Sequence, residues 1–85
     1  MEKLVTINNS TGLHARPAAI LAKKASSFPC EIGLVRGEKK ANAKSIISLM
    51  ALGLGAKTQV TIITSGEKEN EALQEIANFL ETFKD

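Results

Sequence analysis

Apolar and polar positions along this chain of 85 residues follow two periods that alternate. Leu4-Val5-Thr6-Ile7 is a short β-rich run that stops in Asn8-Asn9-Ser10-Thr11-Gly12, a dense cluster of turn formers. From about Arg16 to Ser27 the period becomes helical, with Ala18, Leu21, Ala22 and Ala25 at i, i+3, i+4 and i+7 while Lys23 and Lys24 point elsewhere. Because that face is mostly alanine, the helix should lie close against a sheet. Ser26-Ser27-Phe28-Pro29 ends it. Glu31 to Arg36 predicts a second strand, with Ile32 and Leu34 in phase, and Gly37-Glu38 supplies a turn. Lys39 to Asn42 returns as a polar strand suited to a sheet edge, where lysines discourage edge-to-edge pairing.

Ser45 and Gly53 bracket Ile46 to Leu52, a favoured N-cap and a favoured C′ residue around a short helix. Gln59 to Thr64 is the clearest strand, broken by Ser65-Gly66. A last helix runs from about Glu69 to Phe83. Leu73, Ile76, Ala77, Leu80 and Lys84 lie along one side of it, and Ala72, Phe79 and Phe83 widen the apolar face. Glu69 and Glu71 suit the start of its dipole and Lys84 its end. The order β-α-β-β-α-β-α predicts an α+β fold, an open sheet covered on one side. With no repeat, linker or low-complexity stretch, residues 1–85 read as one domain.

Composition narrows the function. The hydrophobic fraction is 44%, but with three Phe and neither Trp nor Tyr the core must be aliphatic. Such a core leaves only a few kcal/mol of net stability. A formal charge of +2 is weak for a nucleic-acid binder, and no aromatic platform accompanies it. Lys23-Lys24 and the Lys39/Lys40/Lys44 group are the basic concentrations, better suited to acidic protein surfaces than to a phosphate backbone. For Lys39 and Lys40 plain solvation is an equal reading. Cys30 is the sole cysteine, expected half-buried at a strand start and without a disulfide. No second Cys or His is present to build a zinc site, so neither metal nor cofactor is expected. No run approaches a membrane span or a signal peptide, and a cytoplasmic protein is expected.

The chemistry concentrates in Gly12-Leu13-His14-Ala15-Arg16-Pro17-Ala18, which holds the only histidine. Proline fits the first turn of a helix, so His14 should sit at a helix mouth. There the free N–H groups and the positive dipole end make an anion site. The dipole and Arg16 should keep the imidazole neutral and nucleophilic near neutral pH. Small Ala15 leaves room for a partner's active site. Arg16 reads as a ligand for an anion, against the alternative of a solvated surface residue. No nucleotide loop, metal ligands or acid–base pair surrounds the histidine, so the chain looks poor as an enzyme. A metabolite- or RNA-binding domain would need a pocket or an aromatic platform, and the sequence offers neither.

These residues closely resemble the HPr family, the histidine-containing phosphocarriers of the bacterial phosphoenolpyruvate:sugar phosphotransferase system. The likeness covers nearly the whole chain and rests on two motifs. One is Gly12 to Ala18; the other is Lys44-Ser45-Ile46-Ile47-Ser48-Leu49-Met50, followed by Leu52-Gly53. The resemblance implies an open-faced β-sandwich, a four-stranded antiparallel sheet of order 1-4-2-3 with three helices on one face. It implies that His14 accepts a phosphoryl group on Nδ1 from enzyme I and passes it to an enzyme IIA domain, with Arg16 steadying the phosphoryl oxygens. It further implies Ser45 as a regulatory phosphoserine, with HPr kinase/phosphorylase and a catabolite-control regulator as partners, and a monomer with no nucleic acid and no membrane insertion. A purely regulatory module of the same fold would act through Ser45 and would not need His14.

Ser45 is also sufficient as a plain N-cap. Ile46-Ile47 directly after the cap of so short a helix cannot be wholly buried, so parts of Ile47 and Met50 should join Ile20 and Ala15 in a docking patch around His14. For Ile20 a core position is the equal alternative. Three positions depart from the family's common pattern: the glycine of Arg36-Gly37-Glu38 stands one residue early, Lys57 replaces a glycine, and Lys68 replaces a capping aspartate.

Overall fold

A computed structural model of the chain describes residues 1–8 and 11–83. Asn9 and Ser10 of the expected turn cluster and Lys84 of the last helix lie outside the described residues. The elements are β1 (Glu2–Thr6), α1 (Ala15–Ser26), β2 (Glu31–Arg36), β3 (Lys39–Asn42), α2 (Ile46–Leu52), β4 (Gln59–Ser65) and α3 (Glu69–Thr82). The strands form one antiparallel sheet of order β1-β4-β2-β3. This is the order the resemblance implies.

Alternation along the strands decides which face the helices cover. Val5, Ile32, Leu34, Ala41, Val60, Ile62 and Thr64 are buried on one face. Against them pack Ala18, Leu21, Ala22 and Ala25 of α1, Leu49 and Leu52 of α2, and Ala72, Leu73, Ile76, Ala77 and Leu80 of α3. Each buried leucine or isoleucine contributes about 1.5–3 kcal/mol, so the aliphatic core supplies the main folding force. Thr64, the buried polar side chain of this face, donates its hydroxyl to Glu69 O at 2.9 Å.

Strand β1 begins earlier than the apolar run suggests. Its start is drawn in by β4, because the Met1 amino group donates to Thr64 O at 2.6 Å and Thr64 N donates to Met1 O at 2.8 Å. Ile7 lies beyond the strand yet stays buried, exchanging main-chain bonds with Lys57 and Thr58. Cys30 is fully buried at 2% exposure rather than half-buried, since Gly66 lets its backbone approach and the core closes over it.

The three departures have distinct outcomes. At the β2–β3 hairpin Arg36 pairs with Lys39 across the two-residue loop Gly37-Glu38, and the positive φ of 61° falls on Gly37 alone. With the glycine one residue early the loop takes the II′ pattern, and the register is intact. Lys57 (φ 64°) and Lys68 (φ 65°) instead keep a left-handed backbone without glycine. That conformation costs a residue with a Cβ about 1–2 kcal/mol. Lys68 gives α3 no side-chain cap; the Glu69 carboxylate accepts from Gly66 N at 3.0 Å instead.

Candidate functional site

His14 is the N-cap of α1, extended at φ −104° and ψ −168°, and its carbonyl accepts the first helical bond from Ala18 N at 2.9 Å. The helix starts one residue before the expected Arg16, so Pro17 is its third residue rather than its first. Of the first three helical positions only Ala15 and Arg16 therefore carry N–H groups, and neither has a partner among the described residues. The first turn contains no acidic residue, leaving the positive dipole end unneutralised. The imidazole is exposed and makes no cap bond. One ring nitrogen can attack while the other holds a proton, beside donors able to take the oxygens of an incoming anion.

Main-chain contacts hold this loop. Leu13 is buried, and its N–H donates to Leu54 O at 2.8 Å. Gly12 has a φ of 77°, and a Cβ there would stand 2.5 Å from Leu54 O and 2.7 Å from the Gly55 backbone. No other residue fits without displacing the loop that carries His14. Glycine is required here for both reasons, conformation and close approach.

Helix α2 is secured at both ends. Ser45 caps its start, accepting from Ser48 N at 3.2 Å, while Ser45 N donates to Asn42 O at 3.0 Å. Asn42 also accepts from Lys44 N through Oδ1 at 2.9 Å and donates its own N–H to Ser48 Oγ at 2.9 Å. At the other end Arg36 Nη1 donates to Leu52 O at 3.2 Å and to Gly53 O at 3.0 Å. Sequence reasoning missed this cap; the only hint is that α2 has no basic residue in its own last turn. Gly53 to Gly55 follows directly and touches the His14 loop, so the C-terminal end of α2 is the one near the histidine. Ser45 lies at the other end of α2, about 10 Å along the helix axis.

Ile20, Ile47 and Met50 are 46%, 83% and 44% exposed, on two helices that pack against each other. Ala15 and Arg16 are exposed at the start of α1, the helix that carries Ile20. Ile46, absent from the expected patch, is 45% exposed as well. Among the described residues no group of three metal-ligating side chains exists, and no helix is long and apolar enough to cross a membrane. A concavity of about 530 Å³ lies on the sheet, and His14 lines none of it.

The family model described as the PTS HPr component phosphorylation site matches residues 1–82. The HPr-like protein Crh of Halalkalibacterium halodurans is 43% identical over 81 residues, covering 95% of this chain and 96% of that protein. The phosphocarrier protein HPr of Buchnera aphidicola subsp. Baizongia pistaciae is 42% identical over 80 residues, 94% of each. The crystal structure of a phosphocarrier protein HPr from Bacillus anthracis superposes with a TM-score of 0.92 at 36% identity, over 95% of this chain and 96% of that one. Crh of Bacillus subtilis, solved as a domain-swapped dimer, gives a TM-score of 0.77 at 45% identity, over 84% and 82%. Proteins of this kind are phosphocarriers rather than catalysts. On the fold, the family match and these relatives together, the chain belongs to the HPr family, the phosphocarriers of the phosphotransferase system.

Proposed function

We propose that this chain, as one domain over residues 1–85, accepts a phosphoryl group on His14 Nδ1 from enzyme I and donates it to an enzyme IIA domain in sugar uptake in the cytoplasm. The observation that carries this reading is the open helix end. An exposed imidazole stands at the N-cap of a helix whose Ala15 and Arg16 N–H groups, like the imidazole itself, have no partner among the described residues. Arg16, exposed and without an acidic partner among the described residues, supplies a further donor for the phosphoryl oxygens. Ile20, Ile47 and Met50, with Ala15, form the surface on which both partners dock. Incubation with phosphoenolpyruvate and enzyme I, followed by mass spectrometry, should add one phosphate to the wild type and none to His14→Ala. An unmodified wild type would overturn the reading. Unchanged partner affinity in a folded Met50→Asp variant would remove the docking patch.

A second role rests on Ser45 and on the similarity to Crh, a protein whose solved structures carry catabolite repression in their descriptions. Phosphorylation of Ser45 by HPr kinase/phosphorylase would place a dianion at the start of α2, where the dipole favours it. The charge would then stand beside Ile46 and Ile47, away from the histidine, and act on docking and on a catabolite-control regulator rather than on the nucleophile. An intact His14 motif argues against regulation as the sole role. The carrier works as a monomer in this reading, with β1 paired inside its own sheet. Sedimentation at micromolar concentration tests that against the swapped dimer of its relative.

A further inference from the structure

The open face of the sheet holds a shallow, solvent-open concavity of about 530 Å³ that the proposed phosphoryl transfer does not use. Gly33 is among the residues that line it. Residues opposite one another in the ladder share a face, and Gly33 pairs with Ile63 on one side and Asn42 on the other, while Glu31 pairs with Ser65. Those side chains stand around a position that has none. Sequence reasoning found no pocket because the gap is assembled from three strands.

The Lys39/Lys40/Lys44 group, left unexplained by the carrier role, is divided by the fold. Lys40 and Lys44 both line the concavity, and Lys39 does not. The Lys40 stem lies across Gly33, with Cε 3.1 Å from where a Cβ would be. Lys44 is half-buried and fixed by donating Nζ to Phe28 O at 2.8 Å, which leaves two ammonium hydrogens to use. Neither lysine has a carboxylate partner among the described residues, and Glu31 has no cationic one. The pocket thus offers two unpaired cations, one unpaired carboxylate, an amide, a hydroxyl and an apolar wall at Ile63.

We propose that this concavity binds a small hydroxylated organic phosphate. Lys40 and Lys44 take the phosphate, for which two cations suit a dianion better than a monoanion. Glu31, Asn42 and Ser65 take the hydroxyl groups, and Ile63 packs against the carbon skeleton. The site is independent of His14 and of the carrier reading.

Amide NMR titration with glycerol 3-phosphate, inorganic phosphate and glycerol tests it. Glycerol 3-phosphate should shift Gly33, Asn42 and Ser65 saturably at millimolar concentration, with inorganic phosphate about fivefold weaker and glycerol without effect. Gly33→Val should fill the space and abolish these shifts. Gly33 has no positive φ, valine suits a strand, and the atom it meets is the movable end of a lysine, so the fold should persist. Lys40→Ala, which removes an exposed side chain, should weaken binding about fivefold. Shifts confined to Ala15 and Arg16, equal binding of inorganic phosphate, an unchanged response in Gly33→Val, or no saturable shift would each overturn the assignment.

Discussion

The two helices nearest the candidate chemistry begin in opposite ways. Helix α2 starts with Ser45, whose hydroxyl accepts from Ser48 N and closes the helix end from within. Helix α1 starts with His14, whose side chain caps nothing, and its Ala15 and Arg16 N–H groups remain without partners among the described residues. A satisfied helix end contributes stability; an unsatisfied one gives up part of it and keeps donors for a ligand. A phosphate can join the α1 end without breaking any bond, whereas at Ser45 it must displace a cap. Within the proposed function, this contrast suits His14 to rapid transfer and Ser45 to slower, regulated change.

The largest effect expected on this contrast comes from His14→Ala. Phosphoryl incorporation from enzyme I should fall to background, while the thermal midpoint stays within the range of a change of about 0.5 kcal/mol, because no cap is lost. A large loss of stability would mean that the imidazole is structural. Next in size is Gly12→Ala, which forces a Cβ into Leu54 O and a left-handed backbone on alanine. It should destabilise by about 2–4 kcal/mol in denaturant unfolding and slow transfer through a displaced His14. Unaltered stability and rate would show that the Leu13–Leu54 clamp does not position the site.

Exchanging the caps sharpens the comparison further. Ser45→Ala should lose about 1 kcal/mol, and His14→Ser should gain about 0.5–1 kcal/mol while abolishing transfer. Equal signs in urea melts would erase the distinction between the two helix ends. The smallest effects belong to Lys57→Gly and Lys68→Gly. Each should stabilise by up to about 1 kcal/mol, as relief of the left-handed Cβ strain outweighs the added freedom of the unfolded chain. If both variants are destabilised, the lysine side chains hold contacts worth more than the strain.

Local signals were legible where one segment decides the outcome. The alanine face of α1, the Ser45 and Gly53 ends of α2 and the alternating core of β4 all follow from nearest-neighbour physics, and each element forms within a residue or two of its reading. What escaped depends on distant chain. Arg36 caps α2 from the end of β2, Met1 extends β1 through Thr64, and Cys30 is buried because Gly66 permits close approach. The motif at His14 announced an anion site, but the identity of its donors waited on the helix register. Starting at Ala15 rather than Arg16 is what makes Ala15 and Arg16 the free donors and puts Pro17 at the third position. Exposure of Ile46 was equally hidden, since it depends on which side of a seven-residue helix meets the sheet.

Backbone contacts fix the residues just before His14: Leu13 N to Leu54 O, and the bare Cα of Gly12 against Gly55. Backbone atoms are common to every amino acid, so substitutions on the surrounding surface leave the histidine where it is. If His14 carries the phosphate as proposed, a lineage can therefore rewrite the side chains that greet a new partner without retuning the reactive group. Recognition and reactivity become separately heritable, with a single glycine as the element the chain is not free to change.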